Sequence, residues 1–207
     1  LLLREEELMR QSIIHVAAVS LLLSGTAHAE GYATPGQVEM GGTFQIANVT
    51  EVTEKPDGGG SEEGVTATAI QISPTTGYWV SSWFELIGSM DIRQTTVANG
   101  DASFTSVGIG AGPGAFMKLG NARLGPYVLA HVFTETIQVF GPDDQTTSGP
   151  GATVGVQFKL PVAGGGVIVL GAAADYSNLK VSTDATATQA QGTYTSFGTS
   201  VGFLGYF

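Results

Sequence analysis

The chain has 207 residues, no cysteine, 30 glycines, and 18 acidic against 8 basic side chains, for a net charge of −10. The missing cysteines exclude disulfide staples and thiolate metal sites, and the scattered bases form no cluster that grips phosphate, so nucleic acid is not an expected partner. Glycine at about twice its usual share of roughly 7%, with no heptad or triplet period, points to an all-β chain with many turns and close backbone approaches.

Met9 and Arg10 are followed by an apolar run at 13–23 and then by Ala27-His28-Ala29. A basic start, an apolar stretch of this length and an A-x-A step predict a cleavable export signal over 9–29, with Glu30 as the mature terminus. The run is too short to cross a bilayer as a helix, which needs roughly 20 apolar residues. Residues 1–8 (LLLREEEL) carry acid where a signal wants base, so they are read as a non-native upstream extension, with translation starting at Met9. Residues 30–36 form a short lead. Without 1–29 the chain keeps 15 acids and 6 bases, a net of −9.

Eight segments follow, each alternating with the period of a strand. In residues 37–52, Val38, Met40, Phe44 and Ile46 oppose Glu39, Thr43, Gln45 and Ala47. Residues 65–73 set Ile70 and Ile72 against Ala69 and Gln71, and 83–96 set Phe84, Leu86, Met90 and Ile92 against Glu85, Ser89, Asp91 and Arg93. Residues 103–118 set Val107, Ile109, Ala111 and Met117 against Gly108, Gly110, Gly112, Gly114 and Lys118. In residues 125–140 the large apolar side chains Tyr127, Leu129 and Phe133 share a face with His131 and Glu135. If that face meets lipid, a bulge must change the parity or Glu135 must sit at the outer rim, because ionised groups at mid-membrane are costly. Residues 152–160 set Val154, Val156, Phe158 and Leu160 against Thr153, Gln157 and Lys159. The seventh segment sets Ile168, Leu170 and Tyr176 against Ala173, Asp175 and Ser177, and the eighth, from about 193, places Phe197, Val201, Phe203 and Phe207 on one face.

Connections alternate between polar loops (55–63, 99–101, 141–145, 182–191) and tighter turns (74–77, 119–122, 161–165). Outer-membrane barrels pair long outer loops with short periplasmic turns, and an even strand number leaves both termini periplasmic. Trp79, Trp83 and Phe84, beside the first tight turn, suit an interfacial aromatic girdle. Alternation by itself also fits a soluble barrel with the pattern inverted. The polar set decides between them: it is rich in Gly, Ala, Ser and Thr with charges of both signs, which fits the narrow lumen of an eight-stranded cylinder better than a solvated surface. The expected fold is all-β, an eight-stranded antiparallel up-and-down transmembrane β-barrel over 37–207. Its expected lumen network is Glu39, Glu85, Asp91, Arg93, Lys118, Lys159 and Asp175.

The stretch Ile70-Gln71-Ile72-Ser73-Pro74-Thr75-Thr76-Gly77-Tyr78-Trp79-Val80 resembles a step common in small bacterial outer-membrane β-barrels of the OmpX and OmpA-barrel type: strand, Ser-Pro, two residues, Gly-Tyr-aromatic. Glu39-Met40-Gly41-Gly42-Thr43-Phe44 resembles that family's first strand and Gly125-Pro126-Tyr127-Val128 its fifth. The resemblance spans 37–207 and implies outer-membrane localisation, a lipid partner, and an assembly signal at Phe203, Tyr206 and Phe207 read by the barrel-insertion machinery. One departure is Gly205, where the family carries a large side chain.

Little chemistry is expected. His131 is the only histidine after residue 28, too few for a transition-metal site. Lipid-A deacylase barrels place a Ser two residues from their His, and here Phe133 stands at that distance. Gly108-Ile109-Gly110-Ala111-Gly112 lies inside a strand pattern with no helix after it, so it is no dinucleotide fingerprint. The expectation is a non-catalytic barrel without cofactor, its lumen plugged by polar side chains. Its acidic loops (Asp57, Glu62, Glu63, Asp143, Asp144) would be open to an extracellular ligand. The alternative is a narrow pore for small or hydrophobic solutes.

Overall fold

A computed structural model describes residues 31–54, 61–97, 103–138, 145–162, 164–181 and 191–207. The expectations for the extension at 1–8, the signal at 9–29 and the middles of the polar loops fall outside these residues. The strands are β1 (Val38–Glu54), β2 (Ser61–Ser81), β3 (Phe84–Val97), β4 (Ser103–Ala115), β5 (Met117–Leu119), β6 (Ala122–Gln138), β7 (Gln145–Val162), β8 (Gly166–Val181) and β9 (Gln191–Tyr206). Gly114 faces Tyr127 and Met117 faces Leu124 on one continuous register, so β4 and β5 are a single stave interrupted at Phe116. Every pairing is antiparallel between chain neighbours, and β1 pairs with β9, which closes eight staves into a barrel.

Period-two alternation sets the two faces of the wall. Exposed apolar side chains stand on every stave: Ile46, Ile72, Ile92, Ile109, Val132, Val154, Tyr176 and Phe197. Their in-sequence neighbours Gln45, Gln71, Asp91, Arg93, His131, Thr153, Asp175 and Ser196 are buried inside. A contiguous apolar belt around a closed cylinder is the outer face of a protein solvated by hydrocarbon. The lead at 31–37, Phe207 and the three tight turns lie at one end, called the turn end; the strand ends that flank the polar segments lie at the opposite, loop end.

Three expectations are corrected. The first tight turn is not at 74–77, because β2 continues through Pro74 to Ser81 and the chain reverses at Ser82–Trp83. There the Ser81 hydroxyl accepts from the Phe84 N–H at 3.1 Å. Trp79 does not join an outer girdle; it is fully buried in the lumen, whereas Trp83 is exposed.

The third concerns β6, where no bulge changes the parity and the face carrying Glu135 is turned to the lumen rather than to lipid. Pairing with β7 runs unbroken from Arg123 to Ile137. Tyr127, Leu129, His131, Phe133 and Glu135 all point inward, and Val128 and Val132 take the lipid side. The glycines of β4 explain the choice. A Cβ on Gly108 would overlap the Phe133 ring and one on Gly110 the His131 ring, so the side-chain-free track on β4 is the space these β6 side chains fill.

Candidate functional site: the barrel lumen

The inward side chains form two polar layers separated along the barrel axis, and strand register builds the one nearer the loop end. Thr153 of β7 and Ser196 of β9 sit directly opposite Asp175 on its two sides, and Gln71 of β2 sits opposite Arg93 of β3. From these rungs a ring of hydrogen bonds, completed by one close His131–Asp91 contact, crosses the lumen. Arg93 Nε donates to Gln71 Oε1 (2.8 Å), and Gln71 Nε2 to Asp91 Oδ1 (3.0 Å). Asp91 Oδ2 lies 3.0 Å from His131 Nδ1, and His131 Nε2 lies 2.8 Å from the Thr153 hydroxyl. The Thr153 hydroxyl donates to Asp175 Oδ1 (2.6 Å), and Arg93 closes the ring on Asp175 Oδ2 at 3.0 Å. Ser196 adds a further donor to Asp175 Oδ2 at 2.8 Å. The Arg93 guanidinium also lies 5.8 Å from the Phe133 ring centre, and His131 stacks on that ring at 5.1 Å. Buried ions of this kind persist only when paired and hydrogen-bonded.

The layer nearer the turn end is built differently. Lys159 of β7 donates to Glu39 of β1 (2.6 Å) and to both carboxylate oxygens of Glu85 on β3 (2.7 and 2.6 Å). Trp79 Nε1 donates to the other Glu39 oxygen at 2.7 Å. Gly77, beside Glu39 in register, leaves the volume that the Glu85 carboxylate enters. Aromatic rings enclose the cluster: the Lys159 ammonium lies 5.0 Å from the Phe116 ring centre and 5.4 Å from that of Trp79. Such contacts are worth roughly 0.5–2 kcal/mol, more when dry.

Below this cluster the lead folds back into the mouth of the barrel. Tyr32 is buried, edge-on to Trp79 (5.8 Å) and tilted against Tyr206 (5.4 Å). Arg123 donates to the Tyr32 carbonyl at 3.2 Å and lies over its ring. Burial, and after it the neighbouring Glu39 carboxylate, hold the Tyr32 phenol above its usual range, so it stays uncharged. Gly36 N–H bonds to the Trp79 carbonyl (2.8 Å), and Ala33 N–H to the Gln37 side chain (2.7 Å).

Six of the seven residues expected in the lumen are thus buried there, as two groups: Asp91, Arg93 and Asp175 in the ring, and Glu39, Glu85 and Lys159 in the cluster. Lys118 is the correction. It has the inward parity but lies in β5 beside the Gly120–Asn121 turn, paired with Arg123, and is exposed. Of the three residues expected in the assembly signal, Phe203 and Phe207 are exposed outward, while Tyr206 is half-buried and turned onto Tyr32.

Sequence reasoning missed Gln71, Thr153, Ser196, Trp79, Tyr32 and Arg123. The available signal was parity with a charged neighbour, which marks Gln71 beside Arg93 only once the register is known. Between the layers lies a polar cavity of about 30 Å³, bordered by Gln45, Gln71, Asp91, Gln157, Asp175 and Ser200. That is room for a water or two.

Thr153, His131 and Asp91 stand in the hydrogen-bond order of a hydrolytic triad. The cavity beside them measures about 30 Å³, and the Thr153 hydroxyl donates to Asp175.

No protein-family model matches the sequence, and no curated protein matches it either. Solved structures do. The outer membrane protein OprG from Pseudomonas aeruginosa superposes with a TM-score of 0.60 at 10% identity, covering 84% of this chain and 97% of that one. The outer membrane protein AlkL, solved in lipid bilayers, superposes with a TM-score of 0.53 at 14% identity, covering 87% and 94%. At such identities the likeness establishes architecture. Taken with the closed eight-stave sheet and the exposed apolar belt, it identifies the chain's fold as that of the small outer-membrane β-barrels.

Proposed function

We propose that the chain is a non-catalytic integral outer-membrane β-barrel whose lumen is closed to ions and whose role is exercised at its loop end. The carrying observation is the hydrogen-bonded ring from Arg93 to Asp175, which spans the cylinder, backed by the Glu39–Lys159–Glu85 cluster and the seated Tyr32. An eight-stranded barrel is just wide enough to be filled by side chains, and here the filling is cross-linked in two layers. With short turns periplasmic, the termini and Tyr32 face the periplasm and the acidic loops face outward. The acidic excess of those loops suits a cationic or metal-bridged extracellular ligand better than an anionic one. Phe203 on β9 and Phe207 just after it, both exposed, are the side chains available to the insertion machinery.

Purified barrel in a planar bilayer tests the closure. The expected record is silent at physiological salt, and the Arg93→Ala/Asp175→Ala double variant shows added conducting events. Steady openings in the unmodified protein would replace the closed barrel with the narrow-pore alternative.

A further inference from the structure

The lipid-facing wall has a recess that the lumen does not explain. On β2 and β3 the outward rung Ile72–Ile92 and the outward rung Tyr78–Leu86 both project exposed bulky side chains. Between them the outward positions are Pro74 and Thr76 on β2, with Met90 and Gly88 on β3. Pro74 has no N–H to give the ladder, and no β2–β3 pair forms between Ile72–Ile92 and Thr75–Ser89, although the register is the same on both sides. Gly88, opposite Thr76, contributes no side chain. The result is a trough of about 390 Å³ with Met40 and Met90 at its rims and Pro74, Thr76 and Gly88 among its lining.

No charged side chain lines it, so a headgroup has no counterpart there. The trough is also continuous with the apolar belt above and below, so its occupant arrives from the bilayer. A hydrocarbon tail lying in it meets the Met40 and Met90 side chains at the rims as well as the floor at Pro74, Thr76 and Gly88. Dispersion contacts grow accordingly, and the two polarizable thioethers adapt to a flexible chain. We infer that the Pro74–Gly88 trough is a docking site for one acyl chain of a bilayer phospholipid.

Photo-cross-linking tests it. The full barrel is reconstituted in vesicles of phosphatidylethanolamine and phosphatidylglycerol doped with a phospholipid carrying a diazirine in its acyl chain, irradiated, digested and mapped. Adducts are expected to concentrate several-fold at Met40 and at 88–90 over the comparably exposed Ile109 and Val132. A Cβ on Gly88 meets only Thr76 Cγ2, at 3.2 Å, so Gly88→Phe projects its ring into the trough and should return labelling there to the belt average. Thr76→Phe, from the opposite strand, should do the same and serves where the first variant fails to insert. Labelling spread evenly around the belt, or unchanged by either filled variant, overturns the proposal. Cross-links between copies at this face would assign it to a second barrel and also overturn the proposal.

Discussion

The two polar layers of the lumen solve one problem, charge inside a narrow cylinder, in opposite ways. In the ring every ion has several partners contributed by different strands: Asp175 accepts from Arg93, Thr153 and Ser196, and Asp91 from Gln71 while facing His131. In the cluster a single ammonium bridges two carboxylates inside an aromatic shell. Redundancy spreads the cost of any one loss in the first layer. The second concentrates it on Lys159, since breaking a buried ion arrangement by removing one partner leaves charge uncompensated.

Truncating that hub should give the largest effect. Lys159→Met should destabilise the barrel by about 3–5 kcal/mol, measured by urea unfolding in detergent with Trp79 and Trp83 as fluorophores. Adding Glu39→Gln and Glu85→Gln should restore much of the loss. A Lys159→Met barrel as stable as its parent would break the contrast between the layers.

An intermediate effect is expected from Gly110→Ala, because the added methyl meets the His131 ring. Overpacking of this kind costs about 1–3 kcal/mol, and heat-modifiable gel mobility should shift to lower temperature. Pairing it with His131→Ala should remove most of the penalty if the ring is what the methyl strikes.

The smallest effect should come from Thr153→Val, which removes one hydroxyl from a ring whose carboxylate keeps two other donors. About 1 kcal/mol is expected, and planar-bilayer records should stay silent. A loss as large as that from Lys159→Met would show that the ring is not redundant.

These contrasts bear on how far the primary structure could be read. The faces of β1, β3 and β8 were legible because each alternates between bulky apolar and small or charged residues, and a period of two leaves only two registers. β6 was not legible, because both of its faces are apolar: Tyr127, Leu129 and Phe133 on one, Val128 and Val132 on the other. Size pointed Tyr127 and Phe133 at lipid, whereas the empty track on β4 drew them inward. Trp79 was misplaced because the carboxylate that accepts its indole N–H is that of Glu39, forty positions away along the chain.

Lys118 marks a different boundary. Parity assigns a face but not a height, and Lys118, one rung from the turn, is exposed despite its inward parity. Thr153 shows the converse: nothing about its own segment marks it, and it becomes part of the ring because register sets it opposite Asp175, within reach of His131.

The order of residues alone therefore determined that eight amphipathic staves close on themselves with grease outward, because hydrocarbon leaves no other way to satisfy the backbone. Which charges meet, which ring enters the lumen and where the wall thins into a trough were decided only by the closed sheet. Those contacts join residues distant in the chain, and the volume available to each depends on the side chain its neighbouring stave lacks.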